Sequence, residues 1–174
     1  ASELLGELRA AGLEPSARTL NILLTSFTSR GRLPEALEVF NSYCAAGGSP
    51  GAVSYNVLIS AFARRGELVN CENLLRQMRA GGEAADRYTY NGLLRACVGA
   101  RAPRRATMFY RIMRRAGVLA DASTFTLLAL ALAPAGRGAR VVSYAREWLG
   151  GDDGLGDDVR ALDVAACATL LRSC

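Results

Sequence analysis

A period of 35 residues constrains this chain more than any other feature of its sequence. Three series of residues keep that interval or a multiple of it. The first series consists of Asn21, Asn56, Asn91 and Thr126. The second consists of Gly12, Gly47, Gly82 and Gly117. The third consists of Gly31, Gly66 and Gly136, with Arg101 in the place of a further glycine. Sequence periods of this size are typical of solenoids, in which each unit buries its apolar surface against its neighbours.

Residues 52–86 show what one unit contains. Apolar residues at i, i+3, i+4 and i+7 predict one face of a helix, and they are Tyr55, Leu58, Ile59 and Phe62. Arg65 and Gly66 interrupt this helix. A second apolar stripe predicts a second helix, and the stripe consists of Cys71, Leu74, Leu75 and Met78. The glycine pair 81–82 is predicted to end this helix. The unit is therefore predicted to be a helix-turn-helix repeat.

The period divides the whole chain into one domain. Residues 1–16 correspond to half a repeat, and residues 157–174 to a terminal helix. Four complete units lie between them: repeat 1 (17–51), repeat 2 (52–86), repeat 3 (87–121) and repeat 4 (122–156). Repeat 4 is the least regular, and Pro134 predicts an early end to its first helix.

The basic charge is concentrated in repeats 3 and 4. All 21 basic residues are arginine, and the stretch from Arg87 to Arg146 holds eleven of them against one acid, Asp121, for a net charge of +10. Such a stretch suits a polyanion, with nucleic acid as the first candidate. A solvated basic face is the alternative.

Composition argues against several kinds of chemistry. The chain has no histidine, which excludes a histidine-paired nucleophile and a Cys2His2 zinc site. Its five cysteines include no CxxC motif, and Cys71 and Cys97 fall on apolar stripes, so we expect buried, reduced thiols. No apolar run reaches the ~18 residues of a membrane span. We therefore predict that the chain is not an enzyme and that it has no cofactor, metal, membrane partner or small-molecule substrate.

A second stripe runs beside the apolar one on the first helix of each repeat, at repeat positions 2, 5, 9 and 12. In repeat 2 it consists of Val53, Asn56, Ser60 and Ala63, and in repeat 3 of Tyr88, Asn91, Arg95 and Val98. An asparagine amide both donates and accepts hydrogen bonds, so it can pair with the edge of an exposed base. The alternative is that these asparagines cap or bond the start of a helix.

Residues 53–56 (VSYN), 88–91 (YTYN) and 123–126 (STFT) resemble the opening block of the pentatricopeptide repeat family. The family's closing element, Gly-x-x-Pro-Asp, is matched in part by residues 12–16 and 117–121. The nearest alternative is the tetratricopeptide repeat, a protein-binding module with a 34-residue period. The resemblance, to the P-class of the family, implies an all-α, right-handed solenoid of about nine helices that binds single-stranded RNA, one base per repeat.

The resemblance also implies which residues meet the RNA. The fifth and last residues of a repeat select the base, so Asn56 with Asp86 and Asn91 with Asp121 favour uridine, while Asn21 with Gly51 leaves a weak pyrimidine preference. Thr126 leans towards a purine. Residues at position 2 flank the bases, and they are Arg18, Val53, Tyr88 and Ser123. Arg64 matches a basic residue that meets phosphate, and Arg95 lies on the groove stripe.

The first functional hypothesis resembles the short plant thylakoid-assembly type, which implies organellar RNA processing such as group II intron splicing in the chloroplast, with the mitochondrion as alternative. A structural, rRNA-binding role in an organellar ribosome is the second hypothesis. That role would use arginines of the second helices, namely Arg104, Arg105, Arg111, Arg114 and Arg115. A fragment of a larger family enzyme is a third. An uncovered apolar stripe (Leu4, Leu5 and Leu8) predicts a homodimer, unless a preceding repeat covers it.

Overall fold

The computed structural model describes residues 15–135, and within them the chain folds into seven α-helices followed by one 3-10 turn. The helices are α1 (Ala17–Ser29), α2 (Leu33–Ala45), α3 (Ala52–Arg64), α4 (Leu68–Ala80), α5 (Arg87–Gly99), α6 (Pro103–Arg115) and α7 (Ala122–Leu132). The predictions for the half repeat, the second helix of repeat 4, the terminal helix and the dimer contact at Leu4, Leu5 and Leu8 lie outside the described residues.

Repeats 1, 2 and 3 each form the predicted helix-turn-helix unit. The helices α1 and α2 form repeat 1, α3 and α4 form repeat 2, α5 and α6 form repeat 3, and α7 opens repeat 4. The first six helices have 13 residues each, and α7 has 11. The helix α7 is shorter because Pro134 lies in the 3-10 turn Ala133–Ala135 that follows it. The predicted early end is therefore confirmed, as is the all-α solenoid.

The helices form two layers. The first helices α1, α3, α5 and α7 pack directly on one another in chain order. The helices α3, α5 and α7 also pack on the second helix before them, and α1, α3 and α5 on the second helix after them. The second helices α2, α4 and α6 scarcely touch one another. Closer spacing of the first helices places them on the inner, shorter side of the stack. Their exposed faces therefore line its concave side.

The predicted apolar stripes form the core. In repeat 2 the side chains of Tyr55, Leu58, Ile59 and Phe62 are all buried. Edge-to-face aromatic pairs help to join neighbouring repeats. One such pair joins Phe40 of α2 to Tyr55 of α3, with 5.3 Å between the ring centroids. Cys71 and Cys97 are buried free thiols, and burial raises the pKa of each to about 12. Both stay protonated at physiological pH, as the sequence predicted.

The inter-helix turns use left-handed backbone. Gly31 has a φ angle of 74° and Gly66 has 71°, and Arg101 occupies the same turn position with a φ of 49°. The predicted replacement of glycine by Arg101 is confirmed, and it places an L side chain in a backbone region that glycine prefers. Gly66 also abuts the end of α5, because a Cβ atom added to Gly99 would lie 2.7 Å from the Gly66 Cα atom.

Candidate functional site

A groove of about 750 Å³ runs across the exposed faces of the first helices. Nine of the twelve residues that the sequence predicts as a site line it, namely Val53, Asn56, Arg64, Asp86, Tyr88, Asn91, Arg95, Asp121 and Ser123. The other three, Arg18, Asn21 and Thr126, are not among the residues that line it. The structure thus brings the predicted residues of repeats 2 and 3 together, and the function of each remains a prediction.

Asn56 is held by two residues that lie at the junction of repeats 2 and 3. Its Nδ2 donates to the Asp86 carboxylate, at 3.1 Å to Oδ1 and 3.2 Å to Oδ2. Its Oδ1 accepts from the hydroxyl of Thr89, with 2.7 Å between the two oxygens. The amide therefore has both its nitrogen and its oxygen engaged, and its orientation follows from the hydrogen bonds.

The same arrangement recurs 35 residues later. Asn91 Nδ2 donates to Asp121 Oδ1 at 3.2 Å, and Asn91 Oδ1 accepts from the Thr124 hydroxyl at 2.7 Å. An arrangement reproduced at the repeat interval is a property of the repeat itself. We call each set an Asn-Asp-Thr network, which comprises position 5 and the last position of one repeat and position 3 of the next.

The aspartates of the networks, and not the asparagines, cap helices. Asp86 caps α5 by accepting from the backbone N–H of Thr89 at 2.9 Å, and Asp121 caps α7 by accepting from Thr124 N–H at 2.8 Å. In both cases the threonine hydroxyl accepts from the aspartate N–H, which completes a capping box. The asparagines do not cap a helix themselves in these two repeats. They do bond the capping residues at the start of the following helix, so that part of the alternative is confirmed.

The networks leave each amide with unused capacity. An asparagine side chain has two N–H donors and two acceptor positions on its oxygen. Asn91 uses one donor on Asp121 and one acceptor position on Thr124. One N–H and one oxygen lone pair remain, both on a side chain that lines the groove. A fixed amide with a free donor beside a free acceptor can pair with a ligand that presents the complementary pair.

Repeat 1 has only part of the network. Asn21 Oδ1 accepts from the Ser54 hydroxyl at 2.6 Å, which preserves the link to position 3 of the next repeat. Gly51 occupies the last position and offers no carboxylate. The N-terminus of α3 is satisfied differently, because Ala52 N–H donates to Glu83 Oε2 at 3.1 Å. The orientation of the Asn21 amide is therefore held from one side only.

The predicted site residue of repeat 4 has a different partner. Thr126 donates its hydroxyl to the Ala122 carbonyl oxygen one turn earlier on α7, at 2.9 Å. This contact is local to the helix. Thr126 thus makes no link to another repeat within the described residues.

The charges of the groove are nearly balanced. Two arginines, Arg64 and Arg95, line it together with two aspartates, Asp86 and Asp121. Burial raises the pKa of Asp121, but hydrogen bonds from Thr124 and Asn91 and the charge of Arg87 outweigh burial and leave the pKa below its usual value. The Arg87 Nε lies 3.4 Å from Asp121 Oδ2. Asp121 is therefore a carboxylate at neutral pH.

Large apolar side chains stand exposed at position 2 of repeats 2 and 3. Val53 is 58% exposed and Tyr88 is 72% exposed, although both line the groove. Ser123 is the exposed residue at the same position in repeat 4. In repeat 2 the predicted stripe ends before position 12, since Ala63 is buried where the turn after α3 meets the end of α5. Positions 2 and 9 of that repeat are exposed, and position 5 is half-buried.

Sequence reasoning missed the residues at position 3. Ser54, Thr89 and Thr124 are fully buried, and their hydroxyls link the networks across repeat boundaries. Their signal was present, because Thr19, Ser54, Thr89 and Thr124 form a further series at 35 residues. Gly92 was also missed: a Cβ atom there would lie 2.6 Å from Ile59 Cγ2, so a glycine is needed where α5 approaches α3 at the groove.

Within residues 15–135, no group of three or more histidine, cysteine, aspartate or glutamate side chains could hold a metal ion. None of the helices in that part of the chain is both long and apolar enough to cross a membrane.

Three family models of the same repeat match the chain. The pentatricopeptide repeat domain matches residues 3–65, the PPR repeat family matches residues 50–99, and the PPR repeat matches residues 88–118. Together they run without a gap from residue 3 to residue 118. No curated protein sequence matches the chain.

Solved structures of pentatricopeptide repeat proteins share this fold. The PPR10 protein from maize aligns with a TM-score of 0.78 at 20% identity over 95% of this chain. The same protein in complex with an 18-nucleotide psaJ RNA element aligns with a TM-score of 0.70 at 23% identity over 99% of this chain. This chain spans about a quarter of the length of that protein, 23% and 27% in the two alignments.

A third similar structure is the PPR domain of protein-only RNase P 1 from Arabidopsis thaliana in complex with tRNA. It aligns with a TM-score of 0.74 at 14% identity, over 94% of this chain and 86% of that one. At these identities the likeness concerns the fold.

Proposed function

The chain belongs to the pentatricopeptide repeat family, and from that premise we propose that its groove binds single-stranded RNA, with one base read at Asn56 and the next at Asn91. The observation that carries the proposal is the Asn-Asp-Thr network, which occurs twice at the repeat interval and fixes an amide in the groove each time. The similar maize protein has been solved with bound RNA, which supports RNA as the partner of this chain too.

The free edge of each amide suits a pyrimidine. Uracil presents an N–H donor beside a carbonyl acceptor, and the unused lone pair and N–H of Asn91 form the complementary pair. The neighbouring aspartate is already occupied by the cap, so it orients the amide and adds negative charge beside it. We therefore propose uridine as the preferred base at Asn56 and at Asn91.

The walls of the groove supply the remaining contacts. Val53, Tyr88 and Ser123 stand at position 2 of successive repeats and would flank the two bases, with Tyr88 between them as a stacking surface. Arg64 and Arg95 are exposed at the groove and would meet the phosphates. Arg18, Asn21 and Thr126 would extend the same path into repeats 1 and 4, with weaker selectivity because their networks are incomplete.

The asparagine amides provide the direct test. Replacing Asn56 and Asn91 by alanine should weaken binding to an oligonucleotide that contains UU much more than binding to a purine oligonucleotide. A lost pair with a base edge costs ~1–3 kcal/mol, by analogy with direct readout in DNA. A variant that stays folded and binds both oligonucleotides as before would move the RNA site away from the groove. That result would favour a ribosomal scaffold that binds through its outer arginines.

For the cellular setting we propose organellar RNA processing, with splicing of a group II intron in the chloroplast as the specific case and the mitochondrion as the alternative. Support comes from the family resemblance alone. Recovery of RNA bound to the full-length protein, after crosslinking in isolated organelles, would identify the transcript. Recovery of only ribosomal RNA would argue against a splicing role.

A further inference from the structure

Three arginines of α6 form a straight stripe that faces directly away from the core. At ~100° per residue, Arg104, Arg111 and Arg115 lie within an arc of about 40°. The residues that α6 buries centre on the opposite side of the helix, and they are Ala106, Thr107, Phe109, Tyr110 and Met113. At a rise of ~1.5 Å per residue the arginine stripe (Arg104, Arg111 and Arg115) is about 16 Å long.

Among the outer helices that the structure describes, the one of repeat 3, α6, is the most basic. The outer helix of repeat 1, α2, carries Glu35 and Glu38 and no arginine. The outer helix of repeat 2, α4, carries one glutamate, Glu72, and two arginines. The helix α6 carries five arginines and no acid, and of these Arg105 pairs with Glu72 at 2.6 Å. Of the three outer helices in residues 15–135, α6 therefore carries the largest share of the basic charge.

This concentration accounts for charge that the groove does not use. The stretch from Arg87 to Arg115 contains eight arginines, and only Arg95 lines the groove. The groove itself balances two arginines with two aspartates. Within the described residues, the excess of arginine over acidic side chains is thus larger on α6 than in the groove.

The chemistry of the stripe favours a phosphate backbone over a protein surface. Protein interfaces have an apolar or aromatic centre, and arginine contributes to them beside such a centre. Along α6 the aromatic side chains are buried, and Met108 is its one large exposed apolar residue, at 37%. The stripe also offers no amide and no aromatic platform on which unpaired bases could be read. Double-stranded RNA is recognised mostly through its phosphates, 2′-hydroxyls and shape, and needs neither.

We propose that the arginine stripe binds the phosphate backbone of an RNA stem, as a second contact separate from the groove. This proposal rests on the proposed function in one respect: a single RNA would place a single strand in the groove and an adjoining stem on the stripe. Along the helix axis, neighbouring members of the stripe are ~6 Å and ~10 Å apart. These spacings do not exceed the Debye length of ~10 Å in 0.1 M salt.

Three RNAs test the proposal on the full chain: a U-rich single strand, a stem-loop, and the two joined. The variant is Arg104→Gln, Arg111→Gln and Arg115→Gln, since glutamine retains helix propensity. A control with the same loss of charge replaces Arg30, Arg65 and Arg76, which are exposed and lie off α6. The joined RNA should bind wild type about tenfold more tightly than the single strand. The stripe variant should lose that gain and most stem-loop binding, with less than about a twofold change for the single strand.

The salt dependence gives a second readout. Each phosphate contact that is lost should reduce the slope of log affinity against log salt by about 0.7–0.9, so the stripe variant should be shallower by about 2 units for the joined RNA. Lysine at the three positions should restore binding to the stem.

Several outcomes would overturn the proposal. It is wrong if the stem adds nothing to wild-type binding, or if the control variant loses as much as the stripe variant. It is also wrong if the stripe variant keeps stem binding but no longer binds a protein with an acidic surface. The stripe would then be a protein-docking surface. If wild type binds the stem but not the single strand, the proposed function of the groove is contradicted. The proposal that the stripe binds an RNA stem would still be supported.

Discussion

The hydroxyl oxygen of Thr89 lies 2.7 Å from the Oδ1 atom of Asn56, a residue 33 positions earlier in the chain. Thr89 is fully buried, whereas Asn56 lines the groove. The contact therefore couples the packing between two repeats to the orientation of an amide that a ligand can reach. Thr124 and Asn91 repeat the relationship at the same distance, 2.7 Å.

Removing this hydroxyl should affect stability and base selectivity together. Thr89→Val preserves the shape of the side chain but removes the donor to Asn56 and the acceptor that completes the α5 capping box. We expect a loss of ~1–2 kcal/mol in the free energy of unfolding. Preference for a U-rich over a purine oligonucleotide should also fall. Urea unfolding and fluorescence titration measure the two effects.

Thr107→Val is the matched control for this variant. Thr107 is buried on α6 and donates its hydroxyl to the Pro103 carbonyl oxygen at 3.2 Å, away from the groove. It should lose stability but keep its preference among oligonucleotides. Equal loss of preference in both variants would show that selectivity follows general stability and not the amide orientation.

The pH dependence of stability should include a contribution from Asp121. Its pKa in the folded protein lies below its usual value, so folding favours the carboxylate. The contribution is therefore present above the usual aspartate pKa of ~3.9 and is lost as the pH falls through the lower, folded value. Asp121→Asn keeps a capping side chain, and it should be less sensitive to pH between neutral and about pH 3 than wild type. Urea midpoints at several pH values measure this, and parallel curves for the two proteins would contradict it.

Much of this arrangement could be predicted from sequence because it depends on local patterns. The apolar stripes and the end of α7 near Pro134 each follow from residues within a few positions of one another, whereas the turn position of Arg101 follows from the 35-residue series of glycines. The 35-residue period then placed equivalent residues in equivalent surroundings, which is why Asn56 and Asn91 could be assigned to one face together with Tyr88 and Arg95.

The missed features depend on how helices approach one another. Thr89 resembles an ordinary polar residue near a helix start, and its role as a partner of Asn56 appears only when repeats 2 and 3 are packed. Ala63 was placed on the groove stripe by its angle around α3, yet it is buried because α5 ends close to the turn that follows α3. Helical periodicity gives the direction of a side chain but not the distance to the next helix.

Arg101 offers a route to a more stable protein. Its φ of 49° lies in the left-handed region, where the equivalent residues of repeats 1 and 2 are glycines. Arg101→Gly should relieve strain of ~1 kcal/mol, offset in part by the greater freedom of glycine in the unfolded chain. Arg101→Ala removes the same charge but keeps the strain, so it should show no gain. Thermal unfolding of the three proteins measures the difference, and equal stability of the two variants would exclude backbone strain as the cause.

Tyr88 separates binding from folding more cleanly than any other residue in the groove. Its side chain is 72% exposed, so little of its surface contributes to the core, and Tyr88→Ala should leave the melting temperature almost unchanged. If it stacks on a base, the same change should weaken binding to a U-rich single strand by ~1–3 kcal/mol, and Tyr88→Phe should retain most of that affinity. Val69→Ala is the control, because Val69 is 68% exposed on α4 in the outer layer and should not affect binding. Titration of one oligonucleotide against the four proteins decides the matter: undiminished affinity of folded Tyr88→Ala would show that bases do not stack at position 2 of repeat 3.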